Sequence, residues 1–172
     1  VIDDMEVKAY VEVMDPMLNG YALATASRPG LTGLPYQGEI HINASKIENA
    51  GMVYTVIHEM LHALGFSSDF FTATNTISGL GTNAPLFTGV NAVREYKSIF
   101  GAATATGVPL YEDPLAQGSY ASHWSTTVFG TEMMSVGWDT TSTSVRPFSR
   151  VTVGVLQDIG YRVNYEIGRA HV

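Results

Sequence analysis

Hydrophobic and polar residues follow a strand-like pattern along three short runs near the start of the chain. Residues 8–14 and 38–43 alternate with a period of two, and residues 21–27 form a mostly apolar run. This spacing is typical of half-buried β-strands, and turn-forming residues follow the first two runs. The chain therefore begins with three predicted strands, the second of which ends at Arg28-Pro29-Gly30.

The pattern changes after residue 50, where apolar residues recur at helical spacing around two histidines. A helix is predicted from about residues 49–52 to Gly65, because a glycine commonly ends a helix in the left-handed conformation. His58 and His62 are four positions apart and lie on one face of this helix, where they can bind one metal ion. Glu59 projects beside that ion. With a third protein ligand, zinc keeps one position for a water molecule, whose proton Glu59 would take.

The remaining pattern is less regular. Residues 66–89 are rich in Ser, Thr, Asn and Gly and are predicted to form a loop. Residues 91–100 have one apolar face and predict a helix with Thr88 as its N-cap. Ser149 is the predicted N-cap of a last helix, which ends at Gly160.

In the third strand, Ile40 and Ile42 are expected to face the core, so that His41 and Asn43 face solvent.

The third metal ligand is the open question in the motif. The metzincin pattern His-Glu-x-x-His-x-x-Gly-x-x-His places it at Ser68, which is a poor zinc ligand. Among the five histidines, His41 lies in a predicted strand and His171 lies next to the chain end, which leaves His123 as the best candidate. In gluzincins the third ligand is a glutamate on a later helix, and Glu95 is placed that way. A non-catalytic binding module that kept the fold is a further alternative.

His123 lies in the run Gly-Ser-Tyr-Ala-Ser-His-Trp at residues 118–124, which is followed by Glu132-Met133-Met134. With these runs the chain resembles the leishmanolysin-like zinc metallopeptidases, which insert a segment between the helix glycine and the third histidine. The resemblance extends over most of the chain, and the absence of cysteine is more similar to bacterial members. It implies His58, His62 and His123 as zinc ligands and Glu59 as general base. Met134 is implied as the methionine of a tight turn beneath the metal.

The resemblance also implies an α+β, metzincin-like catalytic domain. We expect a small twisted mixed sheet and the active-site helix above the cleft, and a mostly irregular lower part with a C-terminal helix. One domain over residues 1–172 is predicted, with an upper part at 1–65 and a lower part at 66–172, as a piece of a longer chain. The implied reaction is hydrolysis of peptide bonds in protein or peptide substrates.

The strand at residues 38–43 is nearest in sequence to the active-site helix, and we expect it to be the outer strand of the sheet. Extended substrates would then add to the main chain of Gly38, Glu39, Ile40 and His41.

Composition limits the possible partners. A net charge of −7 argues against nucleic acid, and no apolar run approaches the ~20 residues of a membrane-spanning helix. These residues contain no signal-peptide pattern, and a signal peptide is expected to have been removed from the natural chain if there was one. An extracellular or cell-surface location is implied by the family resemblance alone. Calcium at Glu112 and Asp113 is conceivable, but no regular spacing of oxygen ligands supports it.

Overall fold

The computed structural model describes residues 5–27, 33–116 and 118–166. The fold is α+β, as predicted, and the chain forms two compact units. The first consists of Val1–Gly65 and Gly137–Arg146, and the second of Phe66–Val136 and Pro147–Val172. The segment Gly137–Arg146, which follows the predicted methionine turn, therefore packs with the first unit. The predicted strand end at Arg28-Pro29-Gly30 lies outside the described residues, as does His171.

A three-stranded sheet forms the base of the first unit. Its strands are β1 (Glu6–Glu12), β2 (Gly20–Ser27) and β3 (Pro35–Asn43), in the spatial order β1-β3-β2. β1 runs parallel to β3 and β2 runs antiparallel to it, so the sheet is mixed. The three strands that the hydrophobic pattern predicts are all present, and their ends differ by no more than three residues from the predicted ones.

The prediction that residues 38–43 form the outer strand is wrong. β3 is central, and its main chain pairs with β1 on one side and with β2 on the other. The residues predicted to bind substrate, Gly38, Glu39, Ile40 and His41, each have a partner in both neighbouring strands. A peptide therefore cannot add to them. The parallel pairing of β1 with β3 decides this placement, and nearness in sequence to the helix does not.

His41 lies in a row of stacked rings across the sheet. Its ring is sandwiched between Tyr10 and Tyr21, with centroid distances of 4.8 and 4.4 Å. The Nδ1 atom of His41 is 2.6 Å from Oε1 of Glu12. Ile40 and Ile42 are buried, as the alternation predicts, and the His41 face carries the half-exposed tyrosines. His41 thus joins the three strands of the sheet.

Asn43 was expected to face solvent, but it is fully buried. Its Nδ2 group donates to the carbonyl oxygens of Asp15 (3.1 Å) and Leu18 (2.8 Å). Its Oδ1 atom accepts from the main-chain N–H of Ser45, at the start of a short 3-10 helix, Ala44–Lys46. A buried amide needs such partners, and here they fix the turn before β2 and the path that leaves β3.

Helix α1 (Met52–Ala63) packs on β2 and β3. Its buried residues include Met52, Leu61 and Ala63, which supply the apolar face toward the sheet. The helix ends at Leu64 and Gly65, and Gly65 has a φ of 105°. A positive φ favours glycine, so the predicted role of Gly65 in ending this helix is confirmed.

The second unit contains the shorter elements. They are α2 (Ser68–Ala73), β4 (Ile77–Ser78), β5 (Leu86–Phe87), α3 (Val90–Phe100), β6 (Val108–Pro109), α4 (Thr126–Phe129) and α5 (Arg150–Asp158). The three short strands pair in the order β4-β5-β6, and α3 packs on α5. Among the described residues, no helix has the length and apolar character needed to span a bilayer.

The prediction of a loop over residues 66–89 is wrong in part, because α2, β4 and β5 lie in this stretch. Phe66, Phe71 and Phe87 are fully buried in edge-to-face contacts, with centroid distances of 5.2 Å and 4.7 Å along the series. Aromatic contacts of this kind stabilise short helices and strands. Such elements are hard to predict here, because the residues around the phenylalanines in sequence are mostly polar. Ser67 caps α2 by accepting from the N–H of Phe70.

The N-cap of α3 is Gly89, not the predicted Thr88. The carboxylate of Asp158, at the end of α5, accepts from the main-chain N–H groups of Asn91 and Ala92 at 2.9 Å each. The first turn of α3 is therefore capped from a residue far away in sequence. Ser149 is the N-cap of α5, as predicted, and accepts from the N–H of Thr152.

We expect Gly154→Ala to destabilise the second unit. A Cβ atom at Gly154 would lie 2.7 Å from the main-chain N and Cα atoms of Ala92, where α5 crosses α3. Alanine favours a helix by about 1 kcal/mol over glycine, but this overlap with main-chain atoms should outweigh that gain and lower the unfolding free energy by roughly 1–3 kcal/mol. Urea unfolding measures the change. Ser98→Ala, at an exposed position of α3, is the control, and equal stability of the two variants would contradict the prediction.

Candidate metal centre

Helix α1 brings two of the predicted ligands together. The Nε2 atoms of His58 and His62 are 3.0 Å apart, and the rings meet edge to face at a centroid distance of 4.6 Å. Two imidazole nitrogens bound to one tetrahedral zinc at ~2.0–2.1 Å are separated by roughly 3.3 Å. The spacing of this pair therefore fits shared ligation, and imidazole nitrogen is a preferred zinc ligand.

Glu59 lies between the two histidines in sequence and is buried, with 5% of its surface exposed. Burial raises the pKa of Glu59 to about 8. A cation beside the carboxyl group favours its ionised form and acts in the opposite direction.

The segment Gly137–Arg146 lies against the start of α1 and against His58. The main-chain N–H of Gly51 donates to the carbonyl of Thr140 at 2.8 Å, and Asn49 donates to the Thr140 hydroxyl at 2.9 Å. The ring of Trp138 meets the ring of His58 edge to face at 4.5 Å, and the guanidinium of Arg146 lies 4.2 Å above the Trp138 ring. Trp138 therefore restricts the orientation of the His58 imidazole from the side.

His123 lies in the second unit and is buried, with 7% of its surface exposed. Its Nδ1 atom is 3.0 Å from the carbonyl oxygen of Ser119. A carbonyl only accepts, so Nδ1 donates the hydrogen bond, and in the neutral ring Nε2 then keeps the lone pair that a metal requires. The main chain of His123 is fixed as well, because its carbonyl accepts from the N–H of Tyr111 at 2.8 Å.

Ser68, where the standard metzincin spacing places the third histidine, is bonded to the residue before His123. The N–H of Ser68 donates to the Ser122 hydroxyl at 3.0 Å, and the two hydroxyls are 3.1 Å apart. The stretch of chain between Ser68 and Ser122 therefore begins and ends at the same place. The predicted third ligand, His123, follows this excursion directly in sequence.

The turn that contains the two methionines is organised around Glu132. Met133 and Met134 are both buried, so burial alone does not separate them. The carbonyl of Met134 accepts from the N–H of Trp124 at 2.9 Å, whereas the N–H of Met133 donates to Pro147. Met134 is thus the residue paired with the neighbour of His123. Burial raises the pKa of Glu132, and its hydrogen bonds from Thr152, Met134 and Ser149 act in the opposite direction.

Glu95, the alternative third ligand, is engaged elsewhere. Its Oε1 atom accepts from Arg94 at 2.9 and 3.0 Å, and its Oε2 atom accepts from Arg150 at 2.7 Å. Burial acts to raise the pKa of Glu95, but the hydrogen bonds from the two arginines hold it below the usual value. Both carboxylate oxygens therefore serve ion pairs within the second unit, which argues against the gluzincin arrangement.

Several contacts could not be predicted from the motif. Trp138 contacts His58, and Ser122 contacts Ser68, through the tertiary fold. Glu132 belongs to the predicted run Glu132-Met133-Met134, but that run gave no role to its carboxylate. Asp113, considered for calcium, accepts from the N–H of Leu115 in a local turn. A calcium site there stays an untested expectation.

Comparison with known proteins identifies the family. The family model described as leishmanolysin, Peptidase_M8, matches residues 4–170. The chain is 30% identical over 141 residues to a leishmanolysin homolog of Crithidia fasciculata, covering 76% of this chain and 21% of that protein. It is 28% identical over 149 residues to leishmanolysins of Leishmania tropica and Leishmania donovani, covering 81% of this chain and 22% and 24% of theirs. The chain thus spans less than a quarter of the length of these relatives, and it belongs to the leishmanolysin family of peptidases.

Proposed function

We propose that this chain is a zinc-dependent endopeptidase, with His58, His62 and His123 as the metal ligands and Glu59 as general base. The observation that carries the proposal is the pair of Nε2 atoms 3.0 Å apart on α1, with a buried glutamate between them in sequence. The tautomer of His123 supports its role as third ligand, because the hydrogen bond to Ser119 leaves Nε2 free of the proton. Membership of the leishmanolysin family supports the same assignment.

Zinc suits this donor set, since three imidazoles leave a fourth position for water or substrate. When bound, it polarises the substrate carbonyl and makes water acidic enough to ionise near neutral pH. Glu59 accepts the proton of the attacking water and then donates it to the leaving amine. The buried setting of Glu59 serves this transfer, because hydrogen bonds and charges act more strongly where water is excluded.

The structure suggests a different substrate-binding strand from the one predicted. Among the strands that the structure describes, β2 is an outer strand of the sheet, and it packs on α1, the helix that carries His58 and His62. An extended peptide adding to β2 would gain main-chain hydrogen bonds without any demand on its sequence. Substrates of this class are proteins and peptides. An extracellular or cell-surface location is proposed from the family alone.

The proposal is tested by loading the full chain with one equivalent of zinc and following cleavage of a mixed peptide library. Hydrolysis that a chelator abolishes and added zinc restores is the expected result. The alternative of a non-catalytic binding module predicts tight zinc binding without cleavage of any peptide. The gluzincin alternative predicts that Glu95→Ala loses zinc, which the ion pairs of Glu95 to two arginines speak against.

The contact between Trp138 and His58, which both lie in the first unit, gives a testable prediction. Trp138→Ala removes the ring that restricts His58, and we expect the zinc dissociation constant to rise about tenfold, as for other groups that orient a metal ligand. Trp138→Phe retains an aromatic edge and should bind nearly as the parent chain does. Chelator competition measures the constants, with Val145→Ala as an exposed control in the same segment. Unchanged zinc affinity in Trp138→Ala would refute this role.

A further inference from the structure

We infer that Glu132 is a positioning residue for the metal centre, which fixes His123 and the methionine turn by one buried carboxylate. The inference rests on the proposed function, in which His123 binds zinc. Glu132 does not need to touch metal or substrate for this role. It acts through Trp124 and Met134, the two residues that border the ligand and the turn.

The carboxylate of Glu132 is buried and accepts four hydrogen bonds. Its Oε2 atom accepts from the N–H of Met134 at 2.6 Å. Its Oε1 atom accepts from the N–H of Ser149 at 3.0 Å, from the Ser149 hydroxyl at 2.8 Å and from the Thr152 hydroxyl at 2.5 Å. A buried carboxylate is costly unless it is well bonded. Four donors and the N-terminus of α5, which favours a negative charge, offset part of that cost.

These bonds tie two parts of the chain to one another. The bond to Met134 closes the turn between Glu132 and Ser135 from within, because Glu132 belongs to the same turn. The bonds to Ser149 and Thr152 attach that turn to the N-cap and first turn of α5. The N-terminal end of α5 therefore helps to hold the methionine turn in place.

A second route leads from Glu132 to His123. Thr152, which donates to Glu132, accepts from Nε1 of Trp124 at 2.8 Å. The main-chain N–H of Trp124 donates to the carbonyl of Met134 at 2.9 Å. Both the ring and the main chain of the residue after His123 are thus fixed through the Glu132 network. Trp124 is fully buried and stacks on Phe129 at 4.9 Å, which adds to its rigidity.

His123 is consequently held from both sides in sequence. The carbonyl of Ser119 orients its ring through Nδ1, and Trp124 fixes its main chain. Metal ligands lose affinity when the groups that orient them are removed, typically by 10- to 100-fold. Loss of the Glu132 network should therefore appear as weaker zinc binding by a chain that remains folded.

Glutamine is the informative replacement for Glu132. It keeps the size of the side chain but turns one of the two acceptor oxygens into an NH₂ group. Oε2 faces the Met134 N–H and Oε1 faces the Ser149 N–H, so either orientation of the amide sets a donor against a donor. Thr152→Val is a milder change, because it removes only the hydroxyl that links Glu132 to Trp124 and keeps the side-chain shape.

The test measures the zinc dissociation constant of the full chain by chelator competition, together with the rise in melting temperature that zinc produces. Glu132→Gln should weaken zinc binding by about 10- to 100-fold and reduce the zinc-induced rise. Thr152→Val should weaken it by about tenfold. Glu95→Gln is the matched control, since it removes another buried carboxylate of the second unit that bonds to Arg94 and Arg150. It should lower the melting temperature and leave the zinc constant unchanged.

Parent-like zinc affinity in Glu132→Gln overturns the inference. An equal loss in Glu95→Gln overturns it as well, because it would mark either a general effect of stability or zinc ligation by Glu95. If Glu132→Gln does not fold, the zinc constant of Thr152→Val decides in the same way. The parent chain and His123→Ala are measured in parallel. Failure of the parent chain to bind zinc, or full binding by His123→Ala, overturns the proposed function together with the inference. If the parent chain binds zinc and His123→Ala is the only variant that loses it, the inference is overturned and the proposed function stands.

Discussion

His123→Ala is expected to lose its zinc on dialysis and, with it, all measurable peptidase activity. Two imidazoles remain on α1, and a pair of ligands holds zinc far more weakly than the three of a catalytic site. The loss in affinity should exceed the roughly 100-fold that follows from removing an orienting contact. Metal content after dialysis against a weak chelator is the measurement, with circular dichroism to confirm that the chain stays folded.

His41→Ala is the matched control for this substitution, because it removes a histidine of the sheet face that stacks on Tyr10 and Tyr21. It should keep one zinc per chain. Retention of zinc by His123→Ala would exclude His123 as a ligand. Loss of zinc from Glu95→Ala in the same assay would then restore the gluzincin alternative.

Glu59→Ala is expected to keep one zinc per chain while turnover falls by about 10²- to 10⁴-fold, the usual effect of losing a general base. Glu59 follows the proposed ligand His58 directly but is not itself among the proposed ligands, so its loss should leave metal binding intact. Steady-state cleavage of a peptide by the zinc-loaded variant measures the effect. Glu48→Ala, at an exposed position before α1, should cleave at the parent rate, and near-normal turnover by Glu59→Ala would exclude the proposed role.

The sequence predicted helix α1 well, because the residues that define this helix lie close together in the chain. Apolar residues at helical spacing and a terminal glycine place the helix, and the structure has it at Met52–Ala63 with a positive φ at Gly65. The spacing of His58 and His62 then follows from helix geometry alone. The N-cap of α5 at Ser149 was predicted for the same reason, since a cap bonds to the next turn of its own helix.

Features that depend on distant partners could not be predicted in this way. The alternation in residues 38–43 identifies a strand, but it does not tell which neighbours pair with that strand, and β3 proved to be central. The cap of α3 comes from Asp158, 67 positions beyond Asn91, so the choice of Thr88 from nearby residues was wrong. The short elements after Gly65 depend on buried aromatic contacts among Phe66, Phe71 and Phe87.

The candidate site shows the same division between local and distant signals. His58, Glu59 and His62 follow from one motif, whereas His123 was chosen among five histidines and supported by a family run. The hydrogen bonds between Ser68 and Ser122 were not predicted, because no local pattern marks two serines as partners. Trp138 likewise contacts His58 only because the segment Gly137–Arg146 packs on the start of α1.

The bond between Ser68 and Ser122 also bears on the order of events in folding. A helix such as α1 forms within about a microsecond, so His58 and His62 meet early. Ser122 reaches Ser68 only after a loop of 54 positions has closed, and contacts of such long range form slowly. In the proposed site zinc therefore finds its third ligand late. Its binding energy then slows unfolding of the finished protein and contributes little to the rate of refolding.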